Sequence, residues 1–390
     1  MDTKNIIYKN FKYKKNKTIK SKLSKFFFSK ELAAEYPLLQ SLSKNYNYSF
    51  KKKNLSPLKK FNEFNIIGIG GSILGTQAIH DFLKHKIKKK FYFFSNLKNR
   101  NIIRSNKKRL NIIVSKSGNT LETISNLNLI LSSQKNNKNL IITERKNNVL
   151  NRLASKIKSD IIEHKNYIGG RYSVLSEVGM VPAELMGLNE KKFKRYNYLI
   201  KNKVFIDYLI QNVSSIYTNI IKGKKNSVIL NYDEKLNNFL KWYQQLSAES
   251  LGKKGKGFFP IISMMPKDNH SLLQLYLDGP KNNFFSFFSS RERHPTKFNN
   301  LVLNNELKQL SKKNVDQVLH AQKKATQNVF TKKKMSFRSF EILNRKEETI
   351  GELFTFCILE TLMLSSLFNV NPINQPSVEL IKIETKNILK

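Results

Sequence analysis

The sequence predicts an α/β protein built around two doubly wound parallel sheets, and three observations support this fold class. Apolar, β-prone runs alternate with amphipathic helical patterns along most of the chain, which is the expected rhythm of parallel strands joined by helices. The alternation starts a second time near residue 227, so we expect two sheets rather than one. With 390 residues, the chain is long enough for two sizeable cores.

The first domain is predicted at residues 41–195. Its strands are predicted at the apolar runs 65–69, 91–94, 110–114 and 140–143. Its helices are predicted at residues 76–88, 121–133 and 173–187, the last of which closes the domain. Residues 1–40 are rich in lysine and weakly patterned, and we expect them to form a mobile or surface-packed lead-in.

A helical connection at residues 196–225 is predicted to lead into a second domain at residues 226–372. Its strands are predicted at residues 227–232, 258–263, 284–289 and 337–343. Its helices are predicted at residues 234–250, 271–278 and 315–330. Residues 373–390 carry a final helical pattern that starts at Pro376, and we expect this C-terminal helix to pack back across the cleft between the domains.

The most informative motif is the hydroxyl-rich turn Ser115-Lys116-Ser117-Gly118-Asn119-Thr120, which follows the apolar run 110–114. Thr120 can cap the next helix, and the backbone N–H groups and dipole of a helix N-terminus favour an anion. Lys116 adds a full positive charge nearby. An ordinary capped strand-to-helix turn has the same composition, so this motif alone leaves a phosphate site and a purely structural cap open.

A second turn of this kind, Gly68-Ile69-Gly70-Gly71-Ser72-Ile73-Leu74-Gly75, follows an upstream apolar run. Glycine permits positive φ and lets a ligand approach the backbone closely. The glycine spacing differs from the G-x-G-x-x-G dinucleotide fingerprint, and the sequence contains no P-loop motif. Two such turns in one domain favour a phosphorylated small molecule as the ligand. The candidate phosphate ligands are Gly71, Ser72, Ser115, Lys116, Ser117 and Thr120.

Positive charge dominates the composition, since 70 Lys and Arg residues stand against 28 Asp and Glu residues and give a formal charge of +42. Such a balance is common in proteins that bind nucleic acids or anionic membranes. Here the lysines are scattered with asparagine and isoleucine through almost every segment, which is typical of AT-rich codon usage rather than of a basic patch. We therefore expect no specific nucleic-acid partner and no membrane partner. The field still attracts small phosphorylated anions, and it favours salt-dependent, nonspecific binding of polyanions.

Cysteine and apolar patterning favour a cytoplasmic protein. The single cysteine, Cys357, excludes an intramolecular disulfide and is typical of a reducing compartment. The first residues lack the apolar core of a signal peptide. The apolar run 353–370 is interrupted by Glu360 and preceded by Glu352, which indicates a buried helix rather than a membrane span. The six histidines show no ligand spacing such as H-E-x-x-H, so we expect no metal site.

Six blocks of this sequence resemble the ordered signature segments of the glucose-6-phosphate isomerase family, whose members are built from two sugar-isomerase (SIS) domains. The blocks lie at residues 68–75, 115–123, 169–176, 245–253, 267–271 and 375–382. The resemblance implies flavodoxin-like SIS domains in a three-layer α/β/α arrangement. It also implies the reversible isomerisation of glucose 6-phosphate and fructose 6-phosphate, without a cofactor, in glycolysis and gluconeogenesis.

The resemblance also implies catalytic roles. Glu249 matches the family base that moves a proton between two sugar carbons through a cis-enediolate, although a solvated helix-end glutamate is the ordinary alternative. Arg171 matches the cation that stabilises the enediolate. A structural salt bridge from Arg171 to Glu177, six residues further along the chain, is the alternative for the arginine.

His270 and Lys382 match the family residues that open the sugar ring, and Gln375 matches a polar ligand contact. In the family, the histidine enters the site from the partner subunit, so the resemblance implies a homodimer. A surface histidine at a helix start and a solvated lysine on a helix face are the ordinary alternatives.

Two rival functions remain open at this stage. One is an SIS-family isomerase of another sugar phosphate, such as mannose 6-phosphate or an amino-sugar phosphate. The other is a noncatalytic sugar-phosphate sensor, which would need the phosphate cradle but no base. The chain also differs from the family, because it is shorter and carries Ser117-Gly118-Asn119 where some relatives have threonine and bulkier residues.

Overall fold

The computed structural model describes residues 1–11, 17–28, 35–98, 108–133, 137–292, 294–299 and 309–389. Within these residues, ten strands form two five-stranded sheets. The strands are β1 (Ile6–Lys9), β2 (Glu63–Ile67), β3 (Lys90–Phe94), β4 (Leu110–Val114), β5 (Lys138–Thr143), β6 (Ser159–Glu163), β7 (Asn226–Asn231), β8 (Phe259–Met264), β9 (Asn283–Ser290) and β10 (Phe337–Ile342).

The first sheet has the strand order β3-β2-β4-β5-β6, and all of its neighbouring strands are parallel. Every residue of β2 and β4 is buried. Strand β4 coincides with the predicted run 110–114, because a continuous apolar run is typical of a parallel strand that is covered on both faces. Strand β6 was not predicted, since Ser159–Glu163 is a largely polar strand at the edge of the sheet.

Helices cover both faces of the first sheet. Phe64 and Ile66 point to one face and join the main core, where Ile79 packs with them. Ile67 points to the opposite face and packs with Leu127. This alternation follows from the period of two in a strand, and it produces the predicted three-layer α/β/α arrangement.

The second sheet has the order β1-β10-β9-β7-β8, in which β7 to β10 are mutually parallel neighbours and β1 pairs antiparallel with β10. Val228 packs with Phe330 on one face of this sheet. Ile229 points to the other face and joins the main core. The second sheet therefore repeats the layered plan of the first.

Strand β1 corrects the expectation for residues 1–40. Ile6 and Tyr8 are 0% and 1% exposed, and the Tyr8 hydroxyl donates to the Glu352 carboxylate over 2.9 Å. The segment therefore begins with a buried edge strand rather than a surface lead-in. Four alternating residues are too short a pattern to stand out beside the lysines that follow. The division into domains at residues 41–195 and 226–372 stays a prediction.

The α-helices connect and cover the strands. They are α1 (Lys17–Phe28), α2 (Lys52–Leu55), α3 (Leu74–Phe82), α4 (Leu121–Ser133), α5 (Val149–Lys156), α6 (Glu177–Leu185), α7 (Tyr196–Leu199), α8 (Lys203–Ile221), α9 (Asn237–Leu251), α10 (Leu273–Asp278), α11 (Val315–Lys332), α12 (Glu347–Phe368) and α13 (Pro376–Ile388).

Helix α12 lies in the centre of the core. It is long and apolar enough to cross a membrane, but 94% of its apolar 18-residue stretch is buried inside the protein. This burial confirms the prediction of a buried helix. Its Glu360 pairs with Arg338, and both side chains are 1% exposed. Tyr243 of α9 donates to the same carboxylate over 2.6 Å. This buried network fixes α9 against the core, and α9 carries Glu249.

Helix α13 begins at the predicted residue but does not pack across the cleft of its own chain. None of its residues is buried, and Leu380 and Ile381 are 67% and 70% exposed. Apolar residues lie on several sides of this helix, so the pattern predicts a helix without selecting a face that would pack against the domains. The expected packing is therefore wrong for the single chain.

Candidate active site

Two turns at the carboxyl ends of neighbouring strands lie side by side. The turn after β2 contains a 3-10 turn at Gly70–Ser72, and the turn after β4 begins at Ser115. A Cβ atom on Gly68 would lie 3.0 Å from the Val114 carbonyl oxygen and 3.2 Å from the Ser72 Cβ atom. Glycine thus permits the close approach of the two turns. Together they line the crevice where ligands bind in open parallel sheets.

Ser115 organises the hydroxyl-rich turn. Its hydroxyl lies 2.9 Å from the Thr120 hydroxyl and accepts a hydrogen bond from the Gly118 N–H over 3.2 Å. The Thr120 carbonyl accepts from the Ile124 N–H in the first turn of α4. Ser115 is buried, Thr120 is half-buried and Ser117 is exposed. The hydroxyl groups therefore surround a helix N-terminus, where backbone N–H groups and the helix dipole favour an anion.

Lys116 is engaged with partners that the sequence did not reveal. Its ammonium donates to the Asn166 carbonyl over 2.7 Å and lies 3.6 Å from the Glu144 carboxylate. Burial lowers the pKa of Lys116, while Glu144 acts in the opposite direction. The charge predicted for the phosphate crevice is therefore partly neutralised by an acid that follows β5.

Arg171 is the centre of a charged cluster beside these turns. It lies in the 3-10 turn Gly170–Leu175, and its side chain is 3% exposed. A Cβ atom on Gly71 would lie 2.4 Å from the Arg171 backbone nitrogen. Glycine at this position therefore lets the 3-10 turn that carries Arg171 contact the turn that follows β2. The Arg171 Nε donates to the Ser250 hydroxyl over 2.8 Å, and Nη1 donates to Glu249 Oε2 over 3.1 Å.

The same guanidinium holds the loop that precedes α13. Arg171 Nη1 donates to Gln375 Oε1 over 2.7 Å, and Nη2 donates to the carbonyl oxygens of Pro372 and Asn374. A nearly buried cation is stable when its donors are satisfied, and the planar guanidinium can reach several acceptors at once. Arg171 therefore joins three segments that are far apart in the sequence.

Glu249 lies in the last turn of α9 and keeps 31% of its side chain exposed. Arg171 donates to Oε2, and the Gln245 side-chain amide donates to Oε1 over 2.9 Å. Two donors thus orient a carboxylate that solvent still reaches. The alternative salt bridge between Arg171 and Glu177 is wrong, because Glu177 accepts hydrogen bonds from the Tyr46 hydroxyl and the Ser49 N–H instead.

Several supporting side chains were not selected from the sequence. The Tyr172 hydroxyl lies 2.8 Å from the Ser250 hydroxyl and donates to the Pro372 carbonyl over 3.1 Å. Trp242 donates from Nε1 to the Arg171 carbonyl over 3.0 Å. Gln245 orients the carboxylate as described above. Tyr172, Gln245 and Ser250 lie inside the blocks 169–176 and 245–253, so membership of those blocks is a signal that could have identified them.

Lys253 closes the cluster at the end of α9. Its ammonium donates to the Ser250 carbonyl over 3.0 Å and to the Asn371 carbonyl over 2.6 Å. Burial, followed by the nearby Arg171 charge, lowers the pKa of Lys253 to about 8. The lysine thus connects the helix that carries Glu249 to the loop that carries Gln375.

A sequence model of the phosphoglucose isomerase family matches residues 55–263 of this chain. A probable glucose-6-phosphate isomerase from Methanococcus maripaludis is 30% identical over 379 residues, which cover 92% of this chain and 85% of that relative. This chain belongs to the phosphoglucose isomerase family. A glucose-6-phosphate isomerase from Methanocaldococcus jannaschii is also similar, with 31% identity over 349 residues that cover 84% of this chain and 85% of the relative.

Solved structures show the same fold. A hypothetical protein from Thermus thermophilus aligns with a TM-score of 0.78 at 21% identity, covering 95% of this chain and 94% of that one. A glucose-6-phosphate isomerase from Chlamydia trachomatis aligns with a TM-score of 0.70 at 18% identity, covering 98% of this chain and 80% of that one. These alignments agree with the two-sheet architecture of the phosphoglucose isomerase family member described here.

Two residues that match family blocks lie outside the Arg171 cluster in the single chain. Lys382 has a 61% exposed side chain and donates to Glu379 of the same helix over 2.6 Å. His270 is exposed at the end of the 3-10 turn Lys267–His270, which follows the edge strand β8. The chain therefore brings Arg171, Glu249 and Gln375 together beside the two turns without His270 or Lys382.

Neither a metal-binding cluster nor the cavity with a volume of about 1210 Å³ coincides with this site in the described part of the chain. Among the described residues, no group of three or more His, Cys, Asp and Glu side chains could hold a metal ion. A cavity of about 1210 Å³ lies at the amino ends of β2, β4 and β5, lined by Glu63, Lys108 and Lys138. It lies at the edge of the sheet opposite to the phosphate turns, where ligands of open parallel sheets do not usually bind.

Proposed function

We propose that this chain catalyses the reversible isomerisation of glucose 6-phosphate and fructose 6-phosphate. The observation that carries the proposal is the ion pair between the buried Arg171 guanidinium and the partly exposed Glu249 carboxylate, beside two turns suited to a phosphate. Family membership and the similarity to the probable glucose-6-phosphate isomerase of M. maripaludis and the glucose-6-phosphate isomerase of M. jannaschii support the same reaction. No observation favours a different sugar phosphate or a noncatalytic sensor.

The sugar phosphate is held by the two turns of the first sheet. Ser115 and Thr120 present hydroxyl groups at the N-terminus of α4. The turn at Gly71–Ser72 lies beside them, and its glycine lets the phosphate approach the backbone closely. Ser117 adds an exposed hydroxyl, and Lys116 adds charge once phosphate competes with Glu144. Hydroxyl groups, backbone N–H groups and a helix dipole are the usual components of such a site.

The proton transfer is assigned to Glu249. The carboxylate removes the proton from the C2 carbon of the open-chain aldose, and the electron pair of that C–H bond forms the enediolate. The same carboxylate then returns the proton to C1 while the hydroxyl proton moves from O2 to O1, which gives the ketose. Arg171 stabilises the negative charge that develops on the sugar oxygens, so it favours the transition state over the substrate. Gln375 accepts a hydrogen bond from the same Arg171 nitrogen that donates to Glu249, and we assign it a polar contact with the sugar.

Ring opening is assigned to His270 and Lys382. Both side chains are exposed in the single chain, so each needs a second element to reach the sugar. We propose a homodimer in which His270 reaches the site of the partner subunit. This assembly would also cover exposed apolar side chains near β8 and α10, such as Phe259 at 71% and Leu275 at 53% exposure.

The proposed reaction moves a proton within one substrate, so it requires no cofactor and no metal. We place the enzyme in the cytoplasm, in glycolysis and gluconeogenesis. The buried location of α12 agrees with a protein that does not use this helix as a membrane span. We propose neither a specific nucleic-acid partner nor a membrane partner for the basic surface.

A coupled assay tests the proposal. The purified protein is incubated with fructose 6-phosphate, and glucose 6-phosphate is followed through a dehydrogenase that reduces NADP. Turnover is expected in the native protein, and Glu249→Gln should lower kcat at least about 100-fold because the amide cannot accept a carbon-bound proton. Sugar-phosphate binding by this variant should be retained. Glu163→Gln, at a half-buried glutamate of β6 that lies 3.5 Å from Arg145, is the matched control and should keep full activity.

Absence of turnover in the native protein, together with measurable sugar-phosphate binding, would contradict the proposed function and favour a sensor. Equal turnover by the native protein and Glu249→Gln would contradict the assignment of the base while leaving the reaction in place.

A further inference from the structure

The second sheet has a crevice at the position that corresponds to the phosphate crevice of the first. In each sheet the first parallel strand, β2 or β7, lies between the next two strands in the chain, giving the orders β3-β2-β4 and β8-β7-β9. After β3 the chain returns past β2 and adds β4 on its other side, and after β8 it returns past β7 and adds β9 in the same way. The order of the strands therefore reverses between β2 and β4, and again between β7 and β9. A crevice forms at such a point beyond the carboxyl ends of the strands.

A cavity of about 390 Å³ lies at the second of these points. This volume is within the usual range of small-molecule pockets, about 300–1,000 Å³. Segments that follow β7, β8 and β9 line the cavity, together with the start of α11. Its polar lining residues include Asp233, Ser290, Glu292, His320 and Lys323.

Asp233 is a nearly buried carboxylate in this lining. Its side chain is 5% exposed, and Oδ1 accepts from the Lys235 N–H and from Arg345 Nη2, each over 3.0 Å. Oδ2 is buried and has no hydrogen-bond partner among the described residues. An unsatisfied acceptor at this depth is costly, so a ligand that donates a hydrogen bond would be favoured here.

Lys323 supplies a donor on the same cavity. The residue is 5% exposed, and its ammonium donates to the Ser289 hydroxyl over 2.8 Å and contacts Glu341 over 3.4 Å. An ammonium has three N–H donors, so one remains for an acceptor on a ligand. A ligand that both accepts from Lys323 and donates to Asp233 needs groups with both properties, and hydroxyl groups have them.

The charges of the lining disfavour a phosphate ester. Carboxylates of Asp233, Glu234, Glu292 and Asp316 line the cavity, against the ammonium groups of Lys235 and Lys323. Arg345 adds one positive charge through its bonds to Asp233 and Glu292. In a chain of formal charge +42, this crevice is unusual because acids at least balance the bases. A dianion would lie against several carboxylates and gain little attraction.

The lining also includes the apolar residues Met265, Pro266, Val315 and Leu319. Neutral sugars present hydroxyl groups at their edges and C–H groups on their ring faces, so they match a lining that combines polar and apolar residues. We propose that this crevice of the second sheet binds a neutral, polyhydroxylated molecule such as an unphosphorylated monosaccharide, at a site separate from the phosphate crevice.

Calorimetric titration with glucose tests the proposal on the full chain saturated with glucose 6-phosphate, which occupies the first crevice. Binding in the millimolar range is expected. Leu319→Trp places a larger side chain in the cavity and should abolish binding, whereas Val329→Trp, a 39% exposed position on the same helix, should preserve it. Asp233→Asn should weaken binding about 10-fold, because a charged acceptor is lost.

Ser290→Ala is the second cavity variant, and it should weaken glucose binding. It replaces Leu319→Trp as the test if circular dichroism shows that Leu319→Trp does not fold. Lack of glucose binding to the native chain would overturn the proposal. Unchanged binding in the folded Leu319→Trp or Ser290→Ala variants would overturn the location. Titration with inorganic phosphate completes the test, since phosphate binding that is lost in Leu319→Trp would overturn the neutral ligand class.

Discussion

The two sheets have the same order of parallel strands, but their carboxyl-end crevices carry different chemistry. In the first crevice, short hydroxyl and glycine residues such as Ser115 and Gly71 surround a helix N-terminus. In the second, carboxylates such as Asp233 and the buried Lys323 line the crevice. The comparison teaches that strand order provides a place for a ligand, whereas the residues of the local turns decide which ligand is bound.

The Arg171 cluster joins the second region to the first. Glu249 and Ser250 come from α9, which follows β7 of the second sheet, yet they contact Arg171 from the first region. The second region thus contributes its helix to the Arg171 cluster, while other residues of that region line its own crevice.

The largest difference is expected between two buried arginines. Arg171→Lys should lower kcat/KM about 100- to 1,000-fold, because lysine cannot reproduce the planar set of donors beside the developing enediolate. Arg345→Lys, at the second crevice, should leave kcat and KM near the native values. Arg345 is similarly buried, with a side chain 7% exposed. Steady-state kinetics with fructose 6-phosphate measure both variants. An equal loss of activity would mean that the two crevices are not functionally distinct.

A smaller effect is expected from the hydroxyl groups. Ser115→Ala should raise KM about 10-fold with little change in kcat, since one hydrogen bond to a charged phosphate contributes roughly 1.5–3 kcal/mol. Ser290→Ala in the second crevice should leave KM unchanged. KM values for fructose 6-phosphate and inhibition by inorganic phosphate provide the measurement. An unchanged KM in Ser115→Ala would remove this serine from the phosphate site.

Within α9, two buried serines differ in their partners. Ser250 accepts from Arg171, whereas Ser247 donates to carbonyl oxygens of its own helix, at Tyr243 and Gln244. Ser250→Ala should therefore lower kcat about 5- to 10-fold with KM preserved, corresponding to about 1 kcal/mol of lost positioning. Ser247→Ala should retain the native kcat. If both variants lose kcat equally, the effect belongs to helix stability rather than to Arg171.

The last comparison concerns stability rather than activity, and it involves two buried lysines and the pH dependence of unfolding. Lys194 donates to the carbonyl oxygens of Ser41 and Leu175, and burial lowers its pKa to about 7. An unfolded chain retains the ordinary lysine pKa of about 10.4, so between these values the unfolded state binds the proton and the folded state does not. The free energy of unfolding therefore rises with pH in this window.

Lys194→Met removes this contribution. The difference in unfolding free energy between the native chain and the variant should rise by up to about 1.4 kcal/mol per pH unit above pH 7. Burial also lowers the pKa of Lys323, but the nearby Glu341 opposes the shift, so Lys323→Met should change the slope less. Urea unfolding at pH 7, 8 and 9 measures both slopes. Parallel curves for the native chain and Lys194→Met would contradict the assignment.

The sequence predicted the strongly patterned elements and the two turns that follow β2 and β4. Strand β4 and helix α4 match the predicted bounds 110–114 and 121–133, because their apolar runs and a residue of capping type at Thr120 give local signals. Strands β1 and β6 escaped prediction, since short edge strands with few apolar residues lack a clear period.

The contacts of the candidate site were less predictable than its residues. Nothing in the spacing shows that Arg171 reaches Pro372 and Gln375, about 200 residues further along the chain. Nor does it show that Glu144 pairs with Lys116. Such contacts depend on packing between elements that are distant in sequence. Exposure of α13 could not be predicted for the same reason, because a helical pattern does not identify its packing partner.

We propose that Glu249 transfers a carbon-bound proton while the first crevice holds the phosphate. The direct measurement is deuterium incorporation from D₂O into C1 and C2 of the equilibrating sugar phosphates, followed by NMR for the native chain and Glu249→Gln. We predict exchange by the native chain and none by the variant, with sugar-phosphate binding retained in both. Exchange at the native rate in Glu249→Gln would contradict the claim.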